Sequence, residues 1–179
     1  QECHAEELPD YQRRSDSILM LTYSSRMAKD ENGIQDATIS DFQIAVECNY
    51  TFFTRHESRL SFAAQYALAV MGASSAVFER DAGVRLRVPY LRIWTETDPY
   101  PGEIGDQLGG LRNVWNSTMT DVKRSSTILL TNSGGGGLSW VGVMCGSYGY
   151  SVAGLGCGIN FPAGGYIWDV DVTSHELGH

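Results

Sequence analysis

The residues His175-Glu176-Leu177-Gly178-His179 carry the pattern H-E-x-x-H. On an α-helix, residues four apart lie on one face, with Cβ atoms about 5–6 Å apart. The imidazoles of His175 and His179 can therefore reach a single metal ion at Zn–N distances of about 2.0–2.1 Å. Glu176 is rotated about 100° from His175, so it faces a water held by the metal rather than the metal itself. Zinc lowers the pKa of such a water to about 7. Glu176 can then take the water's proton and pass it to a leaving amine, as general base and general acid. The chemistry implied is zinc-dependent hydrolysis of a peptide bond. A catalytic zinc uses three protein ligands plus water, and this motif supplies two. His4 and His56 are read as surface residues. The chain runs from Gln1 to the second motif histidine, and is expected to be most of one half of a protease domain, interrupted at its active site.

Two histidines share a face only if a helix carries them. Asp169 and Asp171 precede Thr173-Ser174, so acidic and capping residues gather where a helix N-terminus favours them. A helix is predicted from near Val170, against the weak opposition of β-branched Val170 and Val172. Further upstream, Phe42, Ile44, Val46 and Cys48 alternate with Gln43, Ala45 and Glu47, the pattern of a half-buried strand. Leu60, Ala64, Ala67, Met71, Ser74 and Phe78 recur at helical steps over residues 58–81, and Gly83 is placed to end that helix. A strand follows over residues 84–95. Its apolar phase shifts after Pro89, which implies a bulge or an edge position. Leu108, Leu111 and Trp115 predict a short amphipathic helix, and residues 127–131 a buried strand. Asn132 to Gly137 reads as a flexible loop; lacking a G-K-[ST] ending, it is not a phosphate site. Leu138 to Met144 reads as a strand, Ser147 to Val152 as its hairpin partner, and 154–165 as loop. Strands alternating with helices imply an α/β (α+β) fold, a mixed twisted sheet with helices packed on it.

A net charge of −8 argues against nucleic acid as partner. No apolar run approaches a membrane span, and Ile18-Leu19-Met20-Leu21 is too short for a signal-peptide core. Cys3, Cys48, Cys145 and Cys157 fit no metal-binding spacing, and their even number points towards disulfides and a secreted protein. Asn49-Tyr50-Thr51 and Asn116-Ser117-Thr118 are glycosylation sequons, used only in a eukaryotic secretory pathway. Residues 1–38 are polar and weakly patterned, with one candidate edge strand at Ser17 to Tyr23. They read as a leader, linker or pro-segment remnant before a domain over 39–179. Asp98 and Asp106 are loop acids that could take calcium, although nothing else supports such a site.

From Asp41 onward the order of elements is similar to the upper subdomain of the metzincin zinc endopeptidases, nearest the reprolysin/adamalysin branch. Thr173-Ser174-His175-Glu176-Leu177-Gly178-His179 resembles that branch's active-site helix, and Leu138-Ser139-Trp140-Val141-Gly142-Val143-Met144-Cys145 its edge strand. The resemblance implies a zinc-dependent endopeptidase with the active-site helix at the C-terminus of this subdomain and a third histidine ligand beyond His179. It implies an antiparallel edge strand whose backbone, Leu138, Ser139, Trp140, Val141, Gly142 and Val143, pairs with an extended protein or peptide substrate. It also implies a possible inhibitory pro-segment, in which Cys3 closes the zinc site and Arg13-Arg14 marks the cleavage point. The competing expectations are a zinc protease whose third ligand is a downstream glutamate, and a non-catalytic adhesion or binding domain that retains the fold.

Overall fold

The computed structural model of the chain describes residues 39–132, 135–156 and 168–179. Its elements in chain order are β1 (Ser40–Cys48), α1 (Tyr50–Arg55), α2 (Leu60–Ala82), β2 (Val84–Ile93), α3 (Ile104–Thr118), β3 (Ser126–Thr131), β4 (Gly136–Ser139), β5 (Tyr150–Gly154) and α4 (Trp168–Gly178). One sheet runs in the order β2-β1-β3-β5-β4. The first four strands are parallel, and β4 alone runs antiparallel, against β5. The mixed α/β sheet with an antiparallel edge strand is thus as expected.

Helices cover both faces. On one, α2 and α4 bury Ile44, Val46, Ile128 and Leu130 beneath Ala63, Ala67, Met71, Val172 and Leu177. On the other, Leu108, Leu111 and Trp115 of α3 pack on Ala45, Leu129, Tyr150 and Val152. This double cover corrects the reading of β1 as half-buried. Its residues from Ile44 to Cys48 are all 0% exposed, because a central parallel strand meets helices on both sides. Glu47 is consequently a buried carboxylate, accepting hydrogen bonds from Trp94, Tyr100 and Trp115.

The α2 helix stops where glycine allows it to. Gly83 adopts φ 67°, and its N–H donates to Phe78 O, a left-handed cap that L-residues resist. In β2 the register slips opposite Val88-Pro89, since Gln43 pairs with Arg87 but Ala45 with Tyr90. That is the bulge implied by the proline.

The α1 helix was not anticipated. Asn49 caps it, accepting from Phe52 N at 3.0 Å, while its Nδ2 donates to Thr131 Oγ1 at 2.7 Å. At 2% exposure this sequon asparagine is a structural part of the fold and cannot carry a glycan in the folded domain. Asn116 is exposed, and holds Ser147 O and Tyr150 OH.

Other readings also change. Helix α2 is long and apolar enough, by length and composition alone, to cross a membrane. The expectation that no apolar run reaches that length therefore fails for α2, which here lays Ala63, Ala67 and Met71 against the sheet. His56 is not a free surface residue: its ring packs on both Phe52 and Tyr66, and its Nδ1 meets Phe52 O at 2.8 Å. Cys48 is buried and Cys145 exposed, and both thiols are free. Asp98 is engaged by backbone, accepting from Tyr50 N and Tyr100 N, both at 2.8 Å. Cys3, Arg13-Arg14, the segment Ser17 to Tyr23 and Cys157 lie outside the described residues.

Candidate metal centre

Helix α4 is held by its polar first turn as much as by its apolar face. Trp168 Nε1 donates to Gly154 O at 3.0 Å. Asp169, fully buried, accepts from Gly156 N at 2.6 Å and from Tyr66 OH of α2. Thr173 Oγ1 donates back to Asp169 O at 2.6 Å. Trp168, Asp169, Val172, Thr173, Glu176 and Leu177 are the buried positions, an i, i+4, i+8 stripe turned to the sheet and α2. The remaining arc presents His175, with 30% of its side chain exposed, and the exposed His179.

The two motif histidines converge. Their Nε2 atoms stand 3.0 Å apart with rings 89° from coplanar. Two nitrogens on a tetrahedral zinc stand about 3.3 Å apart, so a small ring rotation admits the ion. Burial and the neighbouring His179 hold the His175 imidazole below its ordinary range, which keeps it neutral and able to offer a lone pair. With Glu176 they form the group of possible ligands among the described residues, all donor atoms within 4.8 Å of one another. Residue type and geometry thus fit two ligands of a zinc site.

Glu176 is 5% exposed. Its Oε1 lies 3.9 Å from His175 Nε2, and its Oε2 accepts from Ser139 Oγ at 2.6 Å. Burial pushes this carboxyl up to about 7, against a smaller opposing effect of the Ser139 bond. The glycine run explains how it fits. Gly136 and Gly137 are not loop but strand, and a Cβ on Gly137 would overlap the Glu176 side chain. A glycine inside a strand marks such a close approach, a signal the flexible-loop reading passed over.

This has a measurable pH signature in the metal-free chain. The folded-state value of Glu176, about 7, lies above its ordinary 4.5, so the folded chain binds this proton more tightly than the unfolded one. The stabilisation is complete below the lower value and is lost as pH rises through the higher one. Between pH 5 and pH 8, urea unfolding in chelator should show wild type losing about 2–3 kcal/mol more than Glu176→Gln. Equal losses would contradict the buried carboxyl.

The edge segment is shorter than anticipated. Leu138 and Ser139 lie in β4, but Trp140, Val141, Gly142 and Val143 fall beyond it. Gly142 takes φ 70° and Cys145 φ 65°, which breaks an extended run. Gly142 N instead donates to His179 O at 2.5 Å, tying the turn to α4. Trp140 packs on the α3 side of the sheet and edge-on to Tyr148. Tyr66 and Gly137 are site-building residues that sequence patterning did not single out. Asp169 was placed at the helix start, but its partners come from sequence positions far away.

The sheet order, the antiparallel edge strand and the H-E-x-x-H helix beside it define a metallopeptidase-type domain. The family model Reprolysin_5, described as metallopeptidase family M12, matches residues 38–179, and the chain belongs to that family. Among solved structures it is similar to "Structure of a chaperone-substrate complex", with a TM-score of 0.61 and 12% identity over 79% of this chain. At that identity the likeness is one of fold alone. The chain spans 24% of that structure's chain. No curated protein matches it.

Proposed function

We propose that the protein containing this chain is a zinc-dependent endopeptidase acting on extended protein substrates, with residues 39–179 forming the upper wall of its cleft. The observation that carries this reading is a buried carboxyl beside two imidazole nitrogens 3.0 Å apart, the donor atoms of all three residues lying within 4.8 Å of one another. His175 and His179 would hold the ion, joined by the third histidine that the family resemblance implies. Zinc, when bound, supplies a Lewis acid that activates water and polarises the scissile carbonyl. Glu176 acts as general base and acid. A carboxylate within reach of the activated water can accept its proton and return it to the leaving amine. β4 is the last strand of the sheet, and its outer edge offers the backbone of Leu138 and Ser139 to an extended peptide. Val141, 72% exposed, borders that edge from the following turn.

The test is cleavage of a dye-quenched unfolded protein by the parent protein, with and without a chelator. Chelation should lower the rate at least about 100-fold, and one equivalent of zinc should restore it. Activity that survives chelation, or none in a zinc-loaded preparation, would sink the reading.

A further inference from the structure

We propose that Ser139 is a positioning residue for Glu176. Its hydroxyl holds one carboxylate oxygen so that the other stays beside the two histidines. The proposal rests on the zinc-peptidase reading above. Ser139 pairs with Ser151 of β5, so its Cα is fixed by the sheet and not by α4. Strand alternation sends Gly137 and Ser139 to the same face and Leu138 to the other. Gly137 leaves the space that the Glu176 side chain fills. Ser139 then grips the far oxygen, with Oγ 2.6 Å from Oε2 and 2.8 Å from Glu176 O. Oε1 remains 3.9 Å from His175 Nε2, and the donor atoms of Glu176, His175 and His179 lie within 4.8 Å of one another.

A carboxylate on a three-torsion side chain has no fixed direction of its own. Here the direction is set by two residues of an adjacent strand. One acts by lacking a side chain and the other by donating a hydrogen bond. The hydroxyl has one hydrogen and two acceptors in reach, Oε2 and the main-chain O of Glu176, so both of its contacts fall on the one residue it positions. The edge strand would therefore serve two ends, backbone for the substrate and aim for the general base.

Two measurements test this. In the zinc-loaded parent enzyme, Ser139→Ala should lower kcat about tenfold, with KM and zinc affinity unchanged. Ser139→Thr, which keeps the hydroxyl, should recover most of the loss. Independently of activity, a double-mutant cycle of Ser139→Ala and Glu176→Ala, each of which removes the side-chain contact, in urea unfolding of the metal-free chain should show the two sites coupled by about threefold or more in the unfolding constant. An Ala variant with wild-type kcat, equal losses in Ala and Thr, or additive unfolding effects would each overturn the proposal. Coupling in the cycle together with a wild-type parent that shows no chelator-sensitive activity would overturn the peptidase reading, and with it the catalytic purpose of the contact.

Discussion

Glu176→Gln is expected to lower kcat of the zinc-loaded parent enzyme by about 10³-fold, within the range that general acid–base catalysis supplies. The substitution is nearly isosteric. The amide oxygen can still accept from Ser139 Oγ, which now bonds Glu176 Oε2 at 2.6 Å, and the space beside Gly137 stays filled. What is lost is the ability to take up and release a proton. Because His175 and His179 are untouched, zinc content measured by metal analysis should remain at one per chain. A variant that keeps more than about a tenth of wild-type kcat would assign the proton transfer to another group.

Glu47→Ala should cost about 4 kcal/mol of folding stability, read as a shift of the urea midpoint. Glu47 is 0% exposed and accepts from Trp94 Nε1 at 2.8 Å, Tyr100 OH at 2.7 Å and Trp115 Nε1 at 2.9 Å, with Arg92 Nη1 at 3.5 Å. Burial and the Glu47 charge raise the Tyr100 phenol well above its ordinary range, so it remains a donor at all working pH values. Removing the acceptor strands three donors, and each unsatisfied buried group costs about 1–3 kcal/mol. Breaking a buried charge pair costs about 3–5 kcal/mol, a large share of a typical domain's 5–15 kcal/mol. A loss under about 1 kcal/mol would mean that water or rearranged side chains satisfy those donors. The network joins β1 to α3, across the sheet from α4. Its loss should act on the metal site only through unfolding.

The chemistry was legible because it is local. H-E-x-x-H is a statement about side chains within five residues, and helical geometry alone brings two imidazoles to one point. The long helix and its Gly83 stop, the Pro89 bulge and the buried strand β3 were legible for the same reason. Periodicity and backbone restriction act over a few residues.

The misreadings share an opposite cause. Alternation in β1 suggested one wet face, yet helices from distant segments cover both. Asn132 to Gly137 looked flexible, because nothing nearby in sequence shows that Glu176 will occupy the space beside Gly137. The sequon at Asn49 gave no sign that Thr131, 82 positions away, would take its amide. Leu138 to Met144 looked like one strand, but the left-handed turn at Gly142, tied to His179 O, ends it after Ser139.

The identity of the candidate metal ligands and of the proposed general base thus follows from the chain's own order of residues, since bonding along one helix sets their spacing. The direction of Glu176, its displaced titration and the short reach of the edge strand arise only when β4 is laid against α4. Those properties depend on burial and on contacts between segments far apart in sequence, and no local pattern encodes the position of a partner that folding alone brings near.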